Sequence, residues 1–354
     1  MDIKNGMKNL FFRNDFAYRN FDWLMQFYVV NLRDKVTDAR TLFNYYAMSK
    51  RDLSSKGEFP KYLYINPTNY CNAKCTFCAY RKLNDKFETM GMDLFRKIID
   101  EFASLGGHSV SLTPTVGEIF VDPTIYEKIA YCKSNGLFVS IVSNGLLLNM
   151  NENWKKISAS GVDELFISTG DIAPHYDAQV YGVHETLSKA RIDGFLKLAQ
   201  EKEQTGAKFN LVMAMRPQRR CYQILDDLKQ SPLWDYYQRK VFKIEWLHGY
   251  DNWGGMITQA ELIGVQKLRS GAALKKYPCS NLFQLSILAS GHVRLCGCRL
   301  KNTAYDELVI GNLKEKSLSQ IWESEERKKV VHDFVSGRLP EVCKGCSFYG
   351  PRIK

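Results

Sequence analysis

The 354-residue sequence predicts an α/β fold, a parallel sheet of six β–α units curled into a partial, TIM-like (β/α)6 barrel. Three observations lead there. From about Gly57 onward, short apolar runs alternate with amphipathic stretches, the mark of β–α units. Hydrophobic content of 45% and charged content of 25% are those of an ordinary soluble globular chain. The ten cysteines are clustered rather than spread, too few at this length for a disulfide scaffold.

The elements follow in order. Lys61 to Pro67 reads as the first strand. A helix from Met92 to Leu105 carries Phe95, Ile98, Ile99, Phe102 and Leu105 on one face, and Gly106-Gly107 ends it. His108 to Thr113 is the second strand, and Pro123, suited to a first helical turn, opens a helix to Ser134. Leu137–Val142, Glu164–Ser168, Phe209–Met215 and Val241–Leu247 supply strands three to six, with helices over Glu152–Ser160, Glu185–Gln204 and Cys221–Lys229 between them. In parallel α/β sheets the chemistry gathers at the carboxyl ends of the strands. Residues 1–56 read as two aromatic-rich helices, an extension whose Phe21, Leu24, Tyr28 and Leu32 have helical spacing and are expected to cap the barrel. The barrel takes residues 57–250, and after the Gly254-Gly255 linker a C-terminal domain takes 251–354.

The formal charge of +11 invites a nucleic-acid partner, but the basic residues are scattered, so that class is set aside. A weak preference for phosphate- or nucleotide-linked substrates remains. No apolar segment follows Met1 as a signal peptide would, and no run reaches the 18 apolar residues of a membrane span. A reducing cytoplasm is the expected compartment, where clustered cysteines read as metal ligands or catalytic thiols.

Directly after the first strand, Cys71, Cys75 and Cys78 fall within eight residues, spaced C-x3-C-x2-C, with Phe77 before the last. Structural zinc and a plain ferredoxin cluster each want four ligands, so one position is missing. Soft thiolates select zinc, copper(I) or iron–sulfur clusters. Three on one tight loop can each grip one iron of a cubane and leave the fourth open.

This triplet in this place resembles the signature of the radical S-adenosylmethionine enzymes. The resemblance implies that S-adenosylmethionine fills the open position, and that its reductive cleavage gives a 5′-deoxyadenosyl radical. It also implies an electron donor such as flavodoxin or ferredoxin. Carried over position by position, it makes Phe77 a cofactor contact and likens Thr115-Val116-Gly117-Glu118 to the family's Gly-Gly-Glu stretch, with the first glycine replaced. Ser168, before Thr169-Gly170-Asp171, stands where relatives carry Ser-x-Asp near the ribose, one residue longer here. Asp171 is a candidate for the substrate instead. Asn144 shares that rim.

Cys279, eleven residues, Gly291, four residues, Cys296, and then Cys343-Lys344-Gly345-Cys346 resemble the C-terminal extensions called SPASM and twitch domains. No cysteine follows Cys346, which favours the shorter, twitch-type form with one auxiliary [4Fe–4S] cluster on these four residues. A hairpin around Ser290-Gly291 is expected to join Cys279 to Cys296, and a helical stretch from Leu318 to Val335 to lead to the CxxC pair. Zinc on the same four thiolates is the alternative. Of the remaining cysteines, Cys132 reads as core, while Cys298 and Cys221 are candidate hydrogen donors to a substrate radical.

The resemblance covers residues 61–348 and is nearest to 2-deoxy-scyllo-inosamine dehydrogenase-like enzymes. It implies dehydrogenation or epimerisation at a secondary alcohol carbon of a sugar or cyclitol. His175, Tyr176, Glu245 and His248 are candidate bases. Modification of a ribosomal peptide is the second reading, and a non-catalytic iron–sulfur or zinc protein the third.

Overall fold

The structure, a computed structural model, describes residues 15–48, 58–84, 86–275, 277–297 and 303–351. Two N-terminal helices, α1 (Asp15–Phe27) and α2 (Arg33–Met48), run together through a π-helical segment, Tyr28–Leu32. The barrel then alternates β1 (Tyr62–Ile65), α3 (Met92–Ser104), β2 (Ser109–Ser111), α4 (Ile125–Ser134), β3 (Phe138–Ser143), α5 (Asn153–Ala159) and β4 (Glu164–Thr169). It continues with α6 (Pro174–Tyr181), α7 (Glu185–Thr205), β5 (Asn210–Met215), α8 (Cys221–Lys229), α9 (Leu233–Gln238) and β6 (Lys243–Trp246). The C-terminal part adds β7 (Leu285–Ile287), β8 (His292–Arg294), β9 (Val309–Asn312), α10 (Leu318–Trp322), α11 (Glu325–Val335) and α12 (Glu341–Lys344).

The strands of β1 to β6 pair in parallel in chain order, as expected. The C-terminal strands extend the same sheet, in the order β6-β5-β4-β3-β2-β1-β7-β8-β9. The link is parallel: Leu63 faces Leu285 and Ile65 faces Ile287. Residue alternation divides the sheet. Leu63, Ile65, Val110, Val139, Ile141, Leu165, Ile167, Leu211 and Met213 turn outward into the helices and are fully or almost fully buried. There they meet Phe95, Ile98, Ile99 and Phe102 of α3, the stripe foreseen from helical spacing. Each such side chain contributes about 1.5–3 kcal/mol by leaving water. The opposite parity faces the lumen and is more polar, with Tyr62 Oη and Ser140 Oγ in contact at 3.2 Å.

Three features differ from the sequence reading. Helices α6 and α9 arise in stretches left as loops, and the Leu318–Val335 helix is two, because Ser324 turns extended and caps α11 by accepting from Arg327 N at 3.3 Å. The third is the N-terminal extension. Its expected apolar face does not pack: Leu24, Tyr28 and Leu32 are 52%, 43% and 40% exposed. The helices dock through carboxylates instead. Asp34 accepts from Arg269 Nη2 at 2.8 Å and from Gly271 N at 2.9 Å. Asp38 accepts from the Ala273 and Leu274 amides at 3.0 and 2.9 Å. Val29 lies so close to Gly249 that a Cβ there would sit 2.8 Å from it.

The Asp34–Arg269 pair is almost dry, with side chains 2% and 6% exposed. Asp34→Ala strands a buried guanidinium and an amide, and is expected to cost about 3–5 kcal/mol in urea unfolding. A loss under about 1 kcal/mol would mean that the pair behaves as a solvated one.

Candidate functional site

At the end of β1 the chain meets a fixed point, Asn66, 4% exposed. Its amide donates to Ser286 Oγ at 3.2 Å and to Ile287 O at 3.0 Å, and its Oδ1 accepts from Thr115 N. The loops after β1 and β2 and the strand β7 are thus held together where the cysteine loop begins. That loop lies along the end of α6 as a strand would: Lys74 N donates to Tyr181 O at 3.0 Å and Thr76 N to Val180 O at 2.9 Å. Gly182, at φ +60, permits the approach, since a Cβ there would stand 2.5 Å from Lys74 O.

Cys71, Cys75 and Cys78 line one cavity of about 300 Å³ at the mouth of the barrel. Phe77, Gly117, Asn144 and Ser168 share its wall, as does the half-buried Arg216. Phe77 packs edge-on to Tyr181 at 5.8 Å and lies 5.6 Å from Tyr250, while its carbonyl accepts from Trp253 Nε1 at 2.7 Å. Arg216 Nε and Tyr181 Oη both donate to Ser168 Oγ, at 2.8 and 2.7 Å. Asn144 Nδ2 donates to Asn72 Oδ1 at 2.8 Å and lies 3.9 Å from Cys71 Sγ. Gly117 has φ +136, and a Cβ would meet Thr68 O at 2.7 Å, so this rim position requires glycine.

Glu118 lies just behind the Gly117 rim. Its residue is 1% exposed, and its carboxylate accepts from Ser143 Oγ at 2.6 Å, Asn144 N at 2.7 Å and Phe120 N at 3.2 Å. These three bonds tie the carboxylate to the rim, and Oε2, which takes one of them, keeps acceptor capacity to spare. Asp171 is fully buried in a two-point pair with Arg219 at 2.8 and 2.7 Å. Arg191, with no signal in the sequence beyond its place in a helix, is fully buried beneath the rim. It donates to the carbonyls of Asn144 and Ser168 at 3.0 and 3.2 Å and pairs with Asp177.

The candidate acid–base and hydrogen-donor residues separate. Glu245 is exposed on β6 and shares the lumen face with Ser168 through the register Ser168–Ala214–Glu245. His175 and Tyr176 sit on α6, exposed, away from the cavity. Cys221 and His248 are also off its wall and meet Asp22 of α1 instead, so neither stands where a substrate radical would form. Cys298 lies outside the described residues.

A second cavity is lined by Cys279, Cys296, Cys343 and Cys346 among Leu308, Phe334, Val342 and Tyr349. The hairpin β7–β8 pairs Ile287 with Val293, as its sequence predicts. Lys275, unremarked in the sequence, donates to the carbonyls of Cys343, Lys344 and Cys346 at 2.8, 2.7 and 2.9 Å, closing the CxxC turn with a cation. Gly297, the neighbour of Cys296, lines the first cavity. The chain passes from the second cavity to the wall of the first within one residue.

Ligands around a single zinc ion stand about 3.8 Å apart, given Zn–S bonds near 2.3 Å. Among the described residues, neither cysteine set gathers three sulfurs within 4.8 Å of one another. That wider spread suits sulfurs on the corners of a multi-iron cluster.

Burial pushes the Cys71 thiol up to about 11 and that of Cys78 to about 12. In the metal-free chain both are thus protonated near neutral pH, and a bound metal must displace those protons. The thiolate fraction of Cys71 then climbs about tenfold per pH unit until the pH nears its pKa. Iodoacetamide labelling of Cys71 in the metal-free chain, followed by mass spectrometry, is expected to rise roughly a hundredfold from pH 7 to 9 without a plateau. A labelling curve that bends over with its midpoint at about pH 8.5 would show an unsheltered thiol.

Comparison with known proteins fits this geometry. The radical SAM superfamily profile matches residues 65–202, and that of the SPASM iron–sulfur cluster-binding domain matches residues 279–347. The tungsten-containing aldehyde ferredoxin oxidoreductase cofactor-modifying protein of Pyrococcus furiosus is 29% identical over 146 residues, 41% of this chain and 40% of that one. A GTP 3′,8-cyclase of Mannheimia succiniciproducens is 30% identical over 128 residues, 34% of this chain and 36% of that one. The chain thus matches well under half the length of either relative. Among solved structures, Streptococcus suis SuiB bound to precursor peptide SuiA superposes with a TM-score of 0.55 at 17% identity, covering 82% of this chain and 71% of that one. BtrN in complex with AdoMet and 2-DOIA gives 0.51 at 14% identity, covering 83% and 95%. At such identities the likeness is one of fold. Triplet loop, partial barrel and four-cysteine cavity agree with both profiles: the chain carries a radical SAM domain followed by a SPASM iron–sulfur cluster-binding domain, with S-adenosylmethionine and two [4Fe–4S] clusters as cofactors.

Proposed function

We propose that this chain is a radical S-adenosylmethionine oxidoreductase that dehydrogenates or epimerises a secondary alcohol carbon of a sugar or cyclitol. Cys71, Cys75 and Cys78 would hold the cluster that binds S-adenosylmethionine, and Cys279, Cys296, Cys343 and Cys346 the auxiliary one. Bound there, the cofactors supply a 5′-deoxyadenosyl radical that takes hydrogen from substrate and a second cluster able to accept an electron.

The chain's own residues support the rest. Phe77, Tyr181, Trp253 and Val116 give the cavity wall much of its apolar surface. Gly117, Asn144 and Ser168 present rim groups to the cofactor, and Arg216 adds a fixed positive charge that suits a carboxylate. Glu245 is off the cavity wall, but its register with Ser168 on the lumen face makes it the candidate to take the hydroxyl proton. The observation that carries the reading is Gly297 on the cavity wall, one residue from the cluster ligand Cys296. Dehydrogenation discards an electron from the substrate, and an acceptor beside the cavity meets that need. Of the two outcomes dehydrogenation is preferred, because the spacing of Cys279, Cys296, Cys343 and Cys346 is the firmer resemblance.

The second reading, radical modification of a ribosomal peptide, draws on the fold likeness to peptide-bound SuiB and on the exposed lumen face of edge strand β6, where Lys243 and Glu245 meet solvent.

Reconstituted under argon, the protein is expected to hold about eight irons per chain, and about four once Cys71, Cys75 and Cys78 are alanine. That triple variant should not form 5′-deoxyadenosine, and zinc in place of iron in the wild type would sink the proposal. Given a carbinol-deuterated cyclitol, the enzyme should move deuterium into 5′-deoxyadenosine and release a ketone. Deuterium arriving only from a labelled peptide would favour the second reading. Glu245→Gln is expected to slow ketone release by about a hundredfold or more while 5′-deoxyadenosine formation persists. An unchanged ketone rate removes Glu245 from the proton transfer.

A further inference from the structure

Asp22, Cys221 and His248 take no part in either cysteine cavity, yet they converge from three separate elements. Asp22 projects from α1, Cys221 opens α8, and His248 follows β6 by two residues. One carboxylate oxygen, the thiol sulfur and an imidazole nitrogen all lie within 4.8 Å of one another. Among the described residues this is the group of His, Cys, Asp and Glu ligand atoms gathered so closely. Asp22 and Cys221 are 6% and 5% exposed, and the His248 side chain 15%.

Helix capping explains only part of this. Asp22 Oδ2 accepts the Cys221 backbone N–H at 3.1 Å, as an acceptor at the start of α8 should. Nothing in capping requires the other oxygen to stand 3.4 Å from His248 Nδ1, or the thiol to turn toward the same carboxylate. A thiol, an imidazole and a carboxylate are the mixed donor set that zinc accepts. Magnesium and calcium take oxygen donors instead, which the thiol argues against. The charges also close: one thiolate and one carboxylate cancel a divalent cation, and a neutral imidazole leaves a buried site with no net charge.

We propose that Asp22, Cys221 and His248 bind one zinc-class divalent cation, with water in the fourth position, and that this ion fastens α1 to the strand ends of β5 and β6. On binding, the thiol proton leaves to solvent and no electron moves. The site is distinct from the radical cavity. Tyr250 stands between them, in electrostatic contact with Cys221 on one side and 5.6 Å from the Phe77 ring on the other.

The test uses full-length protein with both clusters reconstituted, given zinc chloride anaerobically and then desalted. About one zinc per chain should remain, and its K-edge absorption fine structure should show one sulfur near 2.3 Å with nitrogen or oxygen neighbours near 2.0 Å. An all-sulfur shell would place the zinc in emptied cluster sites and overturn the proposal. So would no retained zinc. Cys221→Ser and His248→Gln should each weaken zinc retention at least about tenfold with iron content unchanged. Zinc binding at wild-type strength in either variant also overturns it. Should Cys221→Ser lose iron as well, a sign of misfolding, His248→Gln and the wild-type spectrum decide. In the wild type, zinc should slow tryptic cleavage within α1 and α2, and equal cleavage with and without zinc would refute the fastening role.

Discussion

The side chain of Asn66 joins the loops after β1 and β2 to strand β7, and most of what the molecule presents at its mouth depends on that junction. β1 sits between β2 and β7, so the chain leaving β1 must run past loops from both sides. Asn66 satisfies Thr115 N on one side and Ser286 and Ile287 on the other, in a place water does not reach. A buried amide with every group paired specifies one arrangement, since any shift would leave a polar atom unpaired at a cost of about 1–3 kcal/mol. Register follows from it. The cysteine loop starts at a fixed height, the Thr115–Gly117 rim is held beside it, and the hairpin bearing Cys296 is locked to the same edge. That the hairpin bearing Cys296 lies beside the mouth is thus a consequence of parallel pairing between β1 and β7.

Charge is arranged around that junction with equal economy. Seven thiolates gathered in two apolar settings would repel one another, and fixed cations lie where the repulsion is worst. Arg191 sits buried behind Cys75, and Arg216 faces the same loop across the Phe77 ring at 5.3 Å. Lys275 plays the matching part at the CxxC turn. Burial lowers its ammonium, while the Cys346, Cys343 and Cys279 sulfurs pull it back up. Each cation also donates to backbone carbonyls or a rim hydroxyl, so the groups that offset charge are the ones that set geometry.

The N-terminal helices show how far polar contacts can replace an apolar seam. Asp34 and Asp38 grip free amides and one guanidinium in the segment that leads toward Cys279, while the aromatic stripe of α1 faces outward. Such docking is directional, because each carboxylate has a few donors it can satisfy, and it fixes the helices relative to the C-terminal domain as well as the barrel.

The sequence alone determined what local pattern controls. Period-two apolar runs set the six strands, the α3 stripe set its buried face, and the C-x3-C-x2-C spacing set the cluster chemistry, because loop length and ligand softness are properties of a few adjacent residues. The Cys279–Cys296 hairpin was legible for the same reason. Tertiary structure decided whatever depends on residues far apart in the chain. Glu118 matched a motif by position, but that Ser143 and the Asn144 amide hold its carboxylate from the end of β3 is set by the fold. Leu24, Tyr28 and Leu32 had the right period, but Asp34 found Arg269 across 235 positions and turned the stripe to solvent. Cys221 and His248 were legible as reactive side chains. Only the fold brought Asp22 between them, because hydrogen bonds and coordination are settled by distance in space, which spacing in sequence does not encode.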